Sequence, residues 1–370
     1  TQVLIEPILA QKLIEFNPEI EQIPDRADEV IYKLIAAIES ANNVGLVRAN
    51  EEFVKILKEP ISMPYGDKGK HIPIKIIDFE HPENNELNLV TEFTVKLNEE
   101  IRADIVLLVN GIPLVVIETK TPVRPSISWL DGATQISEDY EKSVPEFFVP
   151  NVFSAATEQK ELWYGSVGSP PEELWEPWKK KDESENLLEF EKQISSLFDI
   201  KTIFEMLEYY TVFSTDSKSR KIKMIARYPQ YEAANLIVNR VVENKTKSGL
   251  IWHFQGSGKS LLMILTAMRL RQHKDLRNPT VIIVVDRVDL DSQIAGKFNA
   301  SQVPNTIQAE SRSDLEKLLK KDTRKIIITT IHKFGEVDAV LNQRDNIVVL
   351  VDEADRSQDG DLGKLMRKAL

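Results

Sequence analysis

Residues 250–260 read Leu250-Ile251-Trp252-His253-Phe254-Gln255-Gly256-Ser257-Gly258-Lys259-Ser260. Two glycines bracket a serine, and a lysine and a second hydroxyl follow at once. Glycine at such places lets main-chain N–H groups approach phosphate oxygens closely, and a helix starting there adds its positive end. In that chemistry Lys259 reaches the β- and γ-phosphates and Ser260 binds Mg²⁺. The full spacing G-x(4)-G-K-[ST] is not met, because His253 stands where the first glycine belongs. The competing reading is a glycine-rich turn with a surface lysine.

Downstream, Ile347-Val348-Val349-Leu350-Val351 runs into Asp352-Glu353-Ala354-Asp355. An apolar strand ending in Asp-Glu sets Asp352 beside the metal and Glu353 near the attacking water. Alone, the segment also reads as a buried strand followed by an acidic turn. Together with the loop it points to nucleotide hydrolysis, with ATP and Mg²⁺ as cofactors. Apolar runs at 281–285, 325–330 and 347–351 have helical patterns before or between them, such as 261–272. That alternation predicts βαβ units and a parallel sheet buried on both faces.

The whole chain has 370 residues, no Cys and a formal charge of −11. Without Cys there is no disulfide framework, thiolate zinc site or Cys nucleophile. No apolar run approaches the length of a membrane span, and the start is not a signal peptide, so the expected compartment is the cytoplasm. The negative sum argues against a nucleic-acid partner until it is divided. Residues 1–200 carry 37 acids and 19 bases, a net of −18, and residues 201–370 carry 21 and 28, a net of +7. An acidic module precedes a basic one.

The basic module resembles a superfamily 2 helicase or translocase. Gly256-Ser257-Gly258-Lys259-Ser260 matches its motif I and Asp352-Glu353-Ala354-Asp355 its motif II. The resemblance implies a RecA-like lobe in which His253 is a tolerated variation. It also implies an adenine reader upstream of the loop, and Gln230 in Arg227-Tyr228-Pro229-Gln230 fits that place. A polar helix-start residue is the other reading of Gln230. Val285-Asp286-Arg287 and Thr329-Thr330 resemble strand-end motifs that contact DNA phosphates, a task that positions without reading sequence. Ordinary strand-end capping explains the same residues.

The acidic module carries Asp104, Glu118 and Lys120 inside two apolar runs, 105–109 and 112–117, separated by Asn110-Gly111. Asn-Gly between apolar runs signals a hairpin. Charges inside such strands need partners or a metal. Two carboxylates on adjacent strands hold a divalent ion, and Lys120 orients water or stabilises developing charge. The pattern D-x(13)-E-x-K resembles the PD-(D/E)xK nuclease core. A two-residue turn alone would pair Asp104 with Ile117 and send the carboxylates to opposite faces. The nuclease reading therefore requires a three-residue loop or a β-bulge. A salt-bridged strand pair, Glu118 with Lys120 or Arg102, is the alternative.

Taken together, three sets of motifs resemble the restriction (motor) subunit of type I restriction–modification enzymes. They are Thr91-Glu92-Phe93 with Arg102 to Lys120, the segment 251–260, and Asp352-Glu353-Ala354-Asp355-Arg356-Ser357-Gln358. The implied fold is α/β, a PD-(D/E)xK nuclease-like domain (1–165), a charged linker with connecting helices (166–225) and a RecA-like parallel-sheet helicase lobe (226–370). The linker reading rests on the prolines and dense charge from Gly168-Ser169-Pro170-Pro171 to Asp182-Glu183. The resemblance implies Mg²⁺-dependent cleavage of double-stranded DNA, ATP-driven translocation, partnership with methylation and specificity subunits, and no membrane. Metal would fall to Asp104, Glu118, Ser260 and Asp352, and catalysis to Asp104, Glu118, Lys120 and Glu353. Gln230, Gly256, Ser257, Gly258, Lys259, Ser260 and Asp352 would hold the nucleotide.

Three departures are visible. The family often carries Gln-x(3)-Tyr after the nuclease core, whereas Gln135 and Tyr140 are one residue further apart. Glu29 reads as a further nuclease acid or as a solvated helical residue. The motor's second lobe, with its arginine finger, would lie beyond Leu370, so weak ATP hydrolysis and no translocation are expected of this stretch alone. A repair-type helicase–nuclease and an ATP-gated DNA-binding subunit with an inactive nuclease core remain as other readings.

Overall fold

The run Ile112-Pro113-Leu114-Val115-Val116-Ile117 is apolar at every position because both of its faces are covered. In the computed structural model it lies within β5 (Ile112–Thr119), an inner strand of a six-stranded sheet. Residues 3–178, 187–254, 256–285, 303–335, 340–353 and 361–369 are described, with positions 296, 298, 300 and 301. The chain forms two units: Thr1–Phe213 with Ser219–Arg227, and Ser214–Lys218 with Tyr228–Leu370.

The first unit opens with helices α1 (Glu6–Phe16), α2 (Pro18–Glu21), α3 (Arg26–Glu39), α4 (Ala41–Val44) and α5 (Leu46–Lys58). A short antiparallel pair, β1 (Ile61–Met63) and β2 (Ile72–Ile74), follows. The main sheet comprises β3 (Leu87–Lys96), β4 (Glu100–Val109), β5, β6 (Phe153–Thr157), β7 (Leu162–Gly165) and β8 (Glu176–Pro177), in that order. Only β5 and β6 run parallel. The crossover between them holds α6 (Trp129–Thr134), a π-helical stretch Gln135–Tyr140 and the short α7 (Glu141–Ser143). Val106, Leu114, Val116, Phe147 and Phe153 are fully buried around this sheet. Apolar side chains removed from water there supply the main driving force, about 1.5–3 kcal/mol for each large residue.

Within the segment read as a linker, residues 168–178 lead instead into this sheet, and residues 179–183 lie outside the described residues. A short helix α8 (Pro171–Leu174) leads into β8, which pairs with β7. Trp175 and Trp178 are buried, and a Cβ on Gly165 would lie 2.3 Å from the Trp175 indole. Two indoles bury far more area than the neighbouring charges can oppose, so the tryptophans outweigh the prolines. Two helices follow, α9 (Leu187–Leu197) and α10 (Ile200–Glu208), and Asp199 caps the second by accepting from Lys201 N–H at 2.8 Å. A hairpin of β9 (Thr211–Thr215) and β10 (Lys221–Ile225) completes this region.

The second unit holds α11 (Tyr228–Glu243), α12 (Lys259–Gln272), α13 (Arg312–Lys320) and a terminal helix Asp361–Ala369. Its four-stranded sheet contains β11 (Thr280–Val285), β12 (Thr306–Gln308), β13 (Ile326–Thr330) and β14 (Ile347–Val351), ordered β12-β13-β11-β14 and parallel throughout. The three apolar runs of the sequence are β11, β13 and β14. Central β11 is buried at every residue, as a strand flanked on both edges and covered on both faces must be. β14, at an edge, is half-buried. The approach to the glycine loop, residues 250–254, forms no strand, and Trp252 is 89% exposed.

Candidate functional site

The hairpin between β4 and β5 turns on two residues, Asn110 and Gly111, both at positive φ (51° and 78°). Such a turn on its own would separate the two carboxylates. The ladder then slips: Leu108 pairs with Pro113 but Leu107 pairs with Val115, so Leu114 is the extra residue of a bulge. Beyond it Ile105 faces Ile117, a register that one step further sets Asp104 opposite Glu118, whose carboxylate accepts from Asp104 N–H. The bulge required for a shared face is present.

Both carboxylates are held by hydrogen bonds. Asp104 Oδ2 accepts from Thr119 N–H at 2.8 Å and from its hydroxyl at 2.9 Å. Glu118, 1% exposed, accepts from Asp104 N–H at 3.2 Å and from Lys120 Nζ at 3.2 Å. Burial, and then the neighbouring Asp104 charge, push the Glu118 carboxyl above its usual range, while Asp104 N–H and Lys120 oppose the rise.

A chain of hydrogen bonds runs outward from Lys120. Its ammonium donates to Gln135 Oε1 at 2.5 Å, Gln135 Nε2 to Tyr140 Oη at 2.5 Å, and Tyr140 Oη to the Arg102 carbonyl at 2.8 Å. The residue that spoiled the Gln-x(3)-Tyr spacing is absorbed by the π-helical stretch, whose i→i+5 repeat brings i and i+5 onto one face as an α-helix does i and i+4. Burial and the Glu118 charge hold the Tyr140 phenol above its ordinary range. Next along, Glu141 accepts from Gly168 N–H at 2.8 Å, and burial pushes its carboxyl up to about 8.

Gly132 on α6 was not singled out by the sequence. A Cβ there would lie 3.2 Å from Glu118 Cβ and 3.3 Å from Ala156 Cβ, so its bare main chain sets how closely α6 covers the carboxylates. The only signal was a glycine inside a helical segment. Beside the site opens a cleft of about 480 Å³ lined by Lys120, Leu130, Asp131, Thr134, Gln135 and Asp139. Glu29, on α3, accepts from the Tyr65 hydroxyl at 2.7 Å.

In the second unit the glycine loop ends at Gly258, whose φ of +81° caps α12, with Lys259 and Ser260 as its first residues. Gly256 is also left-handed, at +86°. Gln230, buried on α11, donates from Nε2 to the carbonyls of Ser257 and Gly258, both at 3.2 Å. A Cβ on Gly258 would fall 2.3 Å from that nitrogen. His253 Nδ1 stands 3.4 Å from Ser257 Oγ, and burial followed by the Lys259 charge lowers its basicity.

Asp352 and Glu353 follow the end of β14, with Asp352 N–H bonded to Val284 O at 2.8 Å. Glu353 sits at φ +48°, a conformation that side chains other than glycine seldom adopt. Thr329 and Thr330 are buried at the end of β13, with the Thr329 hydroxyl turned to the Thr330 carbonyl. Both residues pair with β11, opposite Val284 and Val285. Gln255, Asp286, Arg287 and residues 354–358 lie outside the described residues.

Known proteins match both halves of the chain. The profile of the type I restriction enzyme R protein N terminus matches residues 1–173, and that of the SWI2/SNF2 ATPases matches 229–370. The HindI endonuclease subunit of the type I restriction enzyme from Haemophilus influenzae is 33% identical, over 96% of this chain and 35% of its own length. The chain belongs to the type I restriction enzyme R-protein family. A second member, the putative MjaIXP endonuclease subunit of Methanocaldococcus jannaschii, is 27% identical over 99% of the chain and 38% of its own length. The Staphylococcus saprophyticus SsaAORF53P endonuclease subunit is 25% identical over 86% of the chain and 34% of its own length. The chain thus spans about a third of these relatives.

Within this R-protein family the two units are a PD-(D/E)xK nuclease-like domain and a RecA-like ATPase lobe. Among the described residues no group of three or more His, Asp or Glu side chains is gathered as a ready metal cage. Two converging carboxylates fit Mg²⁺ nonetheless, since that ion keeps several waters and takes one or two carboxylates. Among the described residues no helix is long and apolar enough to cross a membrane.

Proposed function

We propose that the chain carries the DNA-cleaving centre and the first ATP-binding lobe of a type I restriction subunit. The observation that supports this best is the convergence of Asp104, Glu118 and Lys120, produced by one bulge at Leu114. Asp104 and Glu118 would hold Mg²⁺, which supplies Lewis-acid and water-activating chemistry when bound. Thr119 fixes one Asp104 oxygen, leaving the other for a cation. Lys120, steadied by Glu118 and Gln135, is placed to orient water and stabilise charge on a phosphate.

In the second unit the amides of residues 256–260 cradle phosphates, Lys259 neutralises them, and Ser260 with Asp352 would hold Mg²⁺. Glu353 orients the attacking water, and Gln230 reads adenine while tied to the loop carbonyls. Double-stranded DNA, a methylation subunit and a specificity subunit are the proposed partners of the whole protein, acting in the cytoplasm. ATP-driven translocation is likewise proposed for the whole protein, and cleavage by this acidic stretch alone is expected to be weak.

The test is cleavage by the reconstituted complex carrying Asp104→Ala or Lys120→Ala, beside Lys259→Ala. Loss of cleavage in the first two with ATP hydrolysis retained supports the assignment. Cleavage that survives both would show the nuclease core to be structural, as in an ATP-gated DNA-binding subunit. Strand unwinding without any need for a methylation partner would instead indicate a repair-type helicase–nuclease.

A further inference from the structure

Arg102 and Asp104 are two residues apart on β4, so they share a face and stand about 7 Å apart along the strand. That face runs from buried Val106 through half-buried Asp104 to solvent at Arg102, whose side chain is 65% exposed. The Arg102 main chain is fixed, because its carbonyl accepts from Tyr140 Oη. Among the described residues its guanidinium is held loosely, by one ion pair of 3.7 Å to Glu92.

Glu92 is itself irregular. The β3–β4 ladder pairs Thr91 with Ile105 and Phe93 with Ala103 but leaves Glu92, opposite Asp104, unbridged. Its φ is +54°, left-handed in the midst of a strand. A regular strand would set the Glu92 carboxylate beside that of Asp104, where like charges repel. The carboxylate instead meets the diagonal neighbour Arg102. Backbone strain of this kind persists where the surroundings enforce it, and it collects at working sites.

From this juxtaposition we infer that Arg102 is a phosphate-contacting residue of the DNA cleft, and that Glu92 occupies its guanidinium until a backbone phosphate replaces the carboxylate. The inference rests on the nuclease reading above and extends it to how the strand is held. An exposed pair at 3.7 Å contributes little stability, so exchange costs little. A phosphate offers the fork-shaped guanidinium two acceptors in a matching plane. Lys120, the other cation on this face beside the carboxylates, is engaged by Glu118 and Gln135. The site lies in a strongly acidic module, so an exposed arginine two residues from Asp104 opposes repulsion of the polyanion.

The experiment is binding of the full chain to a fluorescent DNA duplex across a salt series. Each phosphate contact contributes about 0.9 to the slope of log K against log salt. Arg102→Ala is expected to lower that slope by about 1, whereas Lys33→Ala, an exposed cation on α3, leaves it unchanged. Glu92→Gln is expected to tighten binding by up to about fivefold, and to lose that gain in the Arg102→Ala background. An unchanged slope in a folded Arg102→Ala protein overturns the contact. A Glu92→Gln gain that persists without Arg102 overturns the exchange. Either result stands apart from failure of the nuclease reading, which shows as DNA cleavage by the complex undiminished in Asp104→Asn.

Discussion

The two candidate sites are built in opposite ways. The nucleotide loop is local: its glycines, lysine and serine are contiguous, and the main chain offers the binding groups. The nuclease centre is assembled from two strands, a π-helical stretch and a glycine-bearing helix, and its groups are side chains. A local site tolerates movement elsewhere in its unit, whereas an assembled one depends on strand register. Register has a period of two, so one residue gained or lost reverses every side chain beyond it.

That contrast predicts its own largest breakage. Inserting one alanine between Val115 and Val116 pairs Asp104 with Ile117 and sends Glu118 to the opposite face. Cleavage by the complex should fall at least about 100-fold, the scale of losing a whole catalytic group, while ATP hydrolysis is kept. Parallel loss of both activities would show that the hairpin serves general folding.

Gly258→Ala is the mirror experiment in the other unit. The new methyl group would meet Gln230 Nε2 at 2.3 Å on a left-handed backbone, where a side chain is strained in any case. Nucleotide affinity, followed with a fluorescent ATP analogue, should drop about tenfold or more, matching a strain of about 1–3 kcal/mol. Intact binding would show that the loop reshapes freely. Gly132→Ala sharpens the comparison further. Contacts of 3.2 and 3.3 Å demand small shifts of Glu118 and Ala156, an overpacking worth about 1–3 kcal/mol. Cleavage should fall more steeply than the melting temperature, and nucleotide affinity should not move.

The smallest effect concerns Glu141, next to Tyr140. Its carboxyl is raised to about 8 by burial, so the folded chain keeps this proton longer than the unfolded one. Stability is therefore lost as pH rises from the ordinary carboxylate range through about 8. Glu141→Gln copies the protonated form. At pH 8 it should raise the melting temperature by about 2–4 °C for each kcal/mol recovered, and at pH 5 it should change nothing. A shift of equal size at both values would assign the effect to packing.

Much of this molecule was legible in the order of its residues. The run 112–117 is a strand buried on both faces, and the three apolar runs of the second unit are its parallel strands, because continuous β-branched stretches have few other homes. The pair Asp104 and Glu118 was legible as a conditional: if catalytic, a bulge must lie between them. One feature was misread where long-range packing overrode local composition. Trp175 and Trp178 draw the proline-rich residues 170–177 into the sheet.

The sequence by itself determined which groups could do chemistry: a phosphate loop, an acidic strand end, and a D-x(13)-E-x-K pattern in an acidic module. Tertiary structure alone decided whether those groups meet. It placed the extra strand residue at Leu114 and wound Gln135–Tyr140 into a π-helix that restores a broken spacing. It also turned Glu92 toward Arg102. The reason is that a motif specifies residue types and separations along the chain. Face and register are set by the summed packing and hydrogen bonding of neighbours that the motif does not contain.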